Sequence, residues 1–172
     1  MDFLNLASTR YSVRKFENKH LEKSVLDQIL ACGHVAPTGC NFQPQRILVL
    51  NTDESMKKLK KCTRSHFDAP TAMIIGYNKN ESWVRKYDGV MSAPIDAIIV
   101  ATHMMLMAHS LNVGSCMVLS FDPDALRTEF SIPDDFDTSL ILVMGYPHPD
   151  AAPAPMHDTF RPMEEVVSFE TY

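Results

Sequence analysis

The chain has 172 residues, 45% of them hydrophobic and 22% charged, and a formal net charge of −5. That length and mixture suit one domain, residues 1–172, with a substantial core. The acidic balance, with no basic run to offset it, argues against nucleic acid as a partner.

In chain order, Phe3 to Ala7 predicts a short helix, followed by Arg10-Tyr11-Ser12-Val13-Arg14. In an extended segment alternate side chains share a side, so Arg10, Ser12 and Arg14 can converge on one anion. Guanidinium forks suit phosphate oxygens, and a hydroxyl fills the gap between them. On spacing alone, a solvated turn making surface ion pairs competes with this reading. Glu22 to Val35 carries Val25, Leu26, Ile29 and Leu30 on one helical face, and Pro37 stops it. The stretch Ala36-Pro37-Thr38-Gly39-Cys40-Asn41-Phe42-Gln43-Pro44 is a turn-rich loop. Its amides Asn41 and Gln43 alternate, and together can read the edge of a polar heterocycle. Arg46 to Leu50 reads as a strand, Ser55 to Cys62 as a helix and Ala72 to Tyr77 as a second strand. Lys57, Lys58, Lys60 and Lys61 form a solvated helix face. Trp83 and Tyr87 are either an aromatic wall over a pocket or a local hydrophobic anchor.

Ala93 to Asn112 is the longest and most apolar helical stretch, expected as a central buried helix with Gly114 as its stop. Asp96, Thr102, His103 and His109 make this region too polar to span a membrane. The two histidines lack metal-pair spacing and read as satisfied core or interface residues; Met104, Met105 and Met107 read as core filling. Ser115 to Leu119 predicts a strand. Asp122 then caps a helix that has Pro123 in its first turn. Leu140 to Met144 is the last core strand, ended by Gly145-Tyr146-Pro147. The proline-rich tail resumes regular character at Glu164 to Phe169. Its apolar Met163, Val166, Val167 and Phe169 favour a docking arm, with a second copy as a candidate surface, over a frayed terminus. Cys32, Cys40, Cys62 and Cys116 show neither metal-ligand spacing nor a disulfide framework, and read as reduced, mostly buried thiols of a cytoplasmic protein. The N-terminus has no signal-peptide pattern, and Asn80-Glu81-Ser82 is an accidental glycosylation sequon. GxSxG, P-loop and GxGxxG motifs are all missing.

Six pieces in order resemble the nitroreductase family of FMN-dependent oxidoreductases. They are the segment from Arg10 through Phe16, the Ala36–Pro44 loop, Leu106 to Gly114, Phe121-Asp122-Pro123, Gly145-Tyr146-Pro147, and Arg161-Pro162-Met163-Glu164-Glu165-Val166-Val167. The resemblance implies an α+β fold: a mainly antiparallel central sheet flanked by helices, in an intertwined homodimer that exchanges C-terminal arms. It implies FMN at the dimer interface. Arg10, Ser12 and Arg161, with Tyr11 beside them, would lie at the phosphate, and Arg14 at the ribityl chain and pyrimidine edge. Pro37, Thr38, Gly39, Asn41 and Gln43 would come from the other chain, and the backbone of Leu119 and Ser120 would lie near the ring.

NADH or NADPH would be co-substrate and a nitroaromatic or quinone the small-molecule acceptor, in ping-pong alternation. No catalytic acid or base and no metal is expected. A flavin storage or sensor module without turnover is the alternative. A specialised member of the same fold, a dehalogenase or flavin-fragmenting enzyme, is another. Three departures from the family pattern stand out: Leu119-Ser120 where many members have glycine, Thr102-His103 where a Gln-Asn pair is frequent, and a brief Asn78–Ser92 region.

Overall fold

The computed structural model describes residues 2–172. Six helices and four strands follow in the order α1 Phe3–Thr9, α2 Lys23–His34, β1 Gln45–Leu50, α3 Asp53–Cys62, β2 Thr71–Asn78, α4 Ala93–Ser110, β3 Gly114–Val118, α5 Pro123–Phe130, β4 Phe136–Gly145 and α6 Met163–Val166. The strands form one antiparallel sheet in the order β1-β2-β4-β3. The α+β class expected from the sequence is the observed one.

Local chemistry sets the helix ends. Asp2 accepts from the Asn5 N–H to start α1, and Asp122 accepts from the N–H groups of Asp124 and Ala125 to start α5. Thr52 and Ser55 form a reciprocal capping box on α3. Asp53 and Glu54 in its first turn, and Lys60 and Lys61 in its last, complement the helix dipole. Lys58, Lys60 and Lys61 pair with Glu54, Asp68 and Glu129, so this basic face is solvated as expected.

Because side chains alternate across a strand, the two central strands feed two cores. Met73, Ile75, Leu140, Leu142 and Met144 pack with α2 and α4, whereas Ala72, Ile74, Ile141 and Val143 pack with α3 and α5. Coverage on both faces explains why β2 and β4 read as unbroken apolar runs. Register slips between Ile75 and Gly76: Ile75 opposes Leu140, and Gly76 opposes Thr138. A Cβ on Gly76 would stand 2.0 Å from the Asp137 carbonyl oxygen, so only glycine fits this bulge.

The end of α4 differs from the sequence reading. Asn112, with φ 58°, takes the left-handed position after the helix, and the Val113 N–H reaches back to the Ala108 carbonyl. An asparagine tolerates that conformation through its short polar side chain. Gly114 instead opens β3, where a Cβ would lie 2.7 Å from the Val13 side chain. Its role is to admit the N-terminal segment.

Candidate functional site

The arginine segment is docked by its hydrophobic middle. Val13 is 2% exposed against Gly114, and its N–H donates to the Ser115 carbonyl at 3.0 Å. Ser12 forms a parallel bridge with Ser115 at the free edge of β3. With Val13 turned inward, alternation puts Arg10, Ser12 and Arg14 on the other side of the segment. Arg10 and Ser12 are half-buried and Arg14 is exposed. The Arg14 guanidinium donates to the Ser12 carbonyl at 3.2 Å and lies 5.8 Å from the Phe67 ring centroid.

Arg14, Ser65, Phe67, Met117, Leu119 and Ser120 line a cleft of about 400 Å³. Its far wall is fixed by two bonds: the Thr63 hydroxyl donates to the Ser120 carbonyl at 2.6 Å, and the Asp122 N–H donates to the Cys62 carbonyl at 2.8 Å. Leu119 and Ser120 are both exposed, and neither has a positive φ, so the local backbone has no conformational need for glycine.

Charge marks the same place. Arg46, Arg85, Arg127 and Arg161 pair with Glu81, Asp88, Asp134 and Glu165. Among the described residues, Arg10, Arg14 and Arg64 have no carboxylate partner. Two of these three guanidiniums belong to the docked segment, and the third adjoins Ser65 in the cleft wall.

The Pro37–Gln43 loop is built differently. Gly39 donates its N–H to Asp96 Oδ1 at 2.9 Å, and Ser92 Oγ donates to Asp96 Oδ2 at 2.8 Å. Asp96 is 2% exposed, in the first turn of α4. A Cβ on Gly39 would meet Ser92 Oγ at 2.7 Å, so a larger residue would push the loop off its anchor. The Gln43 N–H donates to Thr38 Oγ1 at 3.1 Å, and Cys40, Asn41 and Gln43 all have positive φ. The result is a tight loop with Asn41 and Gln43 exposed. Cys40 is also exposed and Cys32 half-buried, leaving only Cys62 and Cys116 buried; the thiols are less buried than the sequence suggested.

One chain does not bring these two sets together. Gly39 is anchored to Asp96 near the start of α4, whereas Thr9, next to Arg10, contacts His109 in its last turn. The thirteen helical steps from Asp96 to His109 span about 20 Å. Arg161 lies on an exposed arm, paired with Glu165 at 3.3 Å. Tyr11 faces that arm: its hydroxyl lies 3.5 Å from the Ala151 carbonyl, and its ring meets the His157 ring edge-on at 6.2 Å. Arg14, Leu119 and Ser120 therefore share a cleft, with Arg10 and Ser12 on the adjoining segment. The loop lies toward the other end of α4 in the same chain, and Arg161 lies on the arm that Tyr11 faces.

Asp96, Ser65, Phe67 and Arg64 were not among the sequence candidates. Asp96 carried one usable signal, a lone carboxylate in the most apolar helix. Trp83 lies beside Gly39, while Tyr87 is 97% exposed, so the two form no common wall. His103 is satisfied within α4, its Nδ1 lying 2.9 Å from the Ile99 carbonyl.

The family model described as "Nitroreductase family" matches the chain in two overlapping stretches, residues 7–73 and 65–146. A nitroreductase family protein from Clostridium difficile 630 is 39% identical, with a TM-score of 0.94 over 100% of both chains. A Methanothermobacter thermautotrophicus protein, which carries the names NADH dehydrogenase and NAD(P)H nitroreductase, is 27% identical over 86% of this chain and 78% of its own length. An Exiguobacterium sibiricum chain solved in complex with FMN shares the fold at a TM-score of 0.84 and 17% identity, over 99% of this chain and 98% of that one.

Proposed function

The chain belongs to the nitroreductase family, and on that premise we propose that it is an FMN-dependent oxidoreductase using NADH or NADPH and a small-molecule acceptor. The observation that carries the reading is the pair of uncompensated guanidiniums, Arg10 and Arg14, beside the cleft that ends at Leu119 and Ser120. The donor set fits the cofactor. A phosphate that is a dianion near neutral pH needs several cationic or neutral donors and no competing carboxylate, and Arg10, Ser12 and Arg14 supply that combination.

FMN, when bound, supplies hydride acceptance from the nicotinamide and its transfer to an acceptor such as a nitroaromatic or quinone, in ping-pong alternation. The protein's residues bind and orient. Arg10 and Ser12 hold the phosphate. Arg14, braced by Phe67, places a fixed positive charge where negative charge accumulates. Leu119 lines one side of the cleft.

The site is completed by a second copy. The roughly 20 Å of helix between the anchor of the loop and the anchor of the arginine segment supports a site shared by two copies. In an arrangement that sets the start of one α4 near the end of the other, Pro37, Thr38, Gly39, Asn41 and Gln43 of one copy reach the arginines of its neighbour. Exposed apolar side chains support such a pairing: Phe3, Leu4, Ile95 and Ile98 on the helices, and Phe160, Met163, Val166 and Phe169 on the arm. The arm also carries Arg161 toward the phosphate.

The test is to load the purified protein with FMN and mix it anaerobically with NADH or NADPH while following flavin absorbance. Rapid bleaching is expected. Bound FMN that resists both donors would favour a storage or sensor role, and a protein that takes up no FMN would end the flavin reading.

A further inference from the structure

Helix α1 rests on α4 through Phe3 and Leu6, which share a groove with Cys32, His103 and Met107, and its last residue, Thr9, lies next to Arg10. None of its residues is buried. The hydrogen bonds of residues 2–8 are local to that stretch, and the one that reaches the body is the contact between Thr9 Oγ1 and His109 Nε2 at 3.0 Å. A Thr9 hydroxyl that donates to the Asn5 carbonyl, 2.7 Å away, leaves Oγ1 free to accept from His109 when the ring carries its proton on Nε2.

Arg10 follows Thr9 directly, as the residue that ends α1, with extended backbone at φ −66° and ψ 133°. It is held between two pins, Thr9 on His109 and Val13 on Ser115. We propose that His109 is a positioning residue: by holding Thr9 it aims the Arg10 guanidinium at the phosphate of the bound flavin nucleotide. The assignment rests on the flavin reading above and extends it to a residue that does not touch the ligand.

The choice of side chain follows from the charge beside it. A carboxylate at this position would pair with Arg10 and cancel the field meant for the phosphate, and a lysine would repel it. A neutral imidazole donates one hydrogen bond and does neither. Burial of the ring, and then the Arg10 charge, both favour that neutral form.

The test compares FMN with riboflavin, which lacks the phosphate, on the full-length protein. His109→Leu removes the donor, and His109→Gln keeps an N–H at similar reach. The expected result is that His109→Leu weakens FMN binding about tenfold, leaves riboflavin binding unchanged, and that His109→Gln retains most of the FMN affinity. Thr9→Val deletes the acceptor from the other side and is expected to show the same FMN-selective loss, which keeps the test valid if the leucine variant folds poorly. An unchanged FMN affinity in His109→Leu and Thr9→Val overturns the proposal. An equal loss for both flavins overturns it too, because that pattern belongs to general packing. Wild-type protein that binds neither flavin brings down the flavin reading itself, and the positioning role with it.

Discussion

At the start of α4 the candidate residues are tied down by a buried carboxylate, whereas at its end they are docked through backbone pairing and left with uncompensated charge. Asp96 satisfies both the Gly39 N–H and the Ser92 hydroxyl, so the Pro37–Gln43 loop is preformed and carries only neutral amides outward. Arg10 and Arg14 are fixed by Val13 and Gly114 behind them, with no carboxylate in front. One end is a rigid template suited to the polar edge of a ring. The other is an electrostatic trap whose field is balanced when an anion arrives.

The largest effect is expected from the element proposed to join the two ends. Removing residues 153–172 deletes the exposed arm, and the truncated chain is expected to sediment as a monomer and purify without yellow colour. A truncated protein that stays dimeric and yellow would show that α4 and α1 suffice. Next comes the arginine end. Arg10→Ala removes a charge-assisted contact and is expected to weaken FMN binding roughly tenfold to a hundredfold by fluorescence titration, with the fold intact by circular dichroism. Unchanged affinity would take Arg10 out of the site.

The loop end responds in a different currency. Asp96→Ala leaves the Gly39 N–H and the Ser92 hydroxyl without their partner and is expected to cost about 1–3 kcal/mol in urea unfolding. A neutral outcome would mean that the loop holds itself through Thr38.

The smallest effect is a pH dependence confined to the arginine end. Burial and Arg10 place the His109 pKa in the folded protein below its ordinary value. The unfolded chain then binds the proton more readily, so this residue's contribution to stability falls as pH drops through the ordinary histidine range, near 6.5. Thermal melts of wild type and His109→Gln should converge on acidification, the wild type losing more. Parallel curves would assign acid sensitivity to other groups.

Much of this arrangement was legible in the chain. The apolar runs of β2 and β4 announced strands, and Asp122-Pro123 announced the start of α5. The length of α4, which separates the two ends, could be read from its apolar stretch. Other features depend on contacts far apart in sequence and leave no local trace. Gly39 meets Asp96 across 57 positions, and Phe67 reaches Arg14 only through the fold. Gly114 was visible but misread: glycine after a helix is commonly a cap, and only the docked Val13 reveals its use as an opening. Tyr87, read either as part of a pocket wall or as a local hydrophobic anchor, instead faces water.

The length of α4 also has a genetic consequence. If every site takes its loop from one subunit and its arginines from the other, damage to the two ends can be separated between chains. In a mixed dimer of an Arg10→Ala subunit and a loop-damaged subunit, one site inherits both lesions and the other inherits neither. Coexpression of two inactive variants would then restore one working centre per dimer, and intersubunit complementation becomes a direct readout of how far apart a single helix holds its two ends.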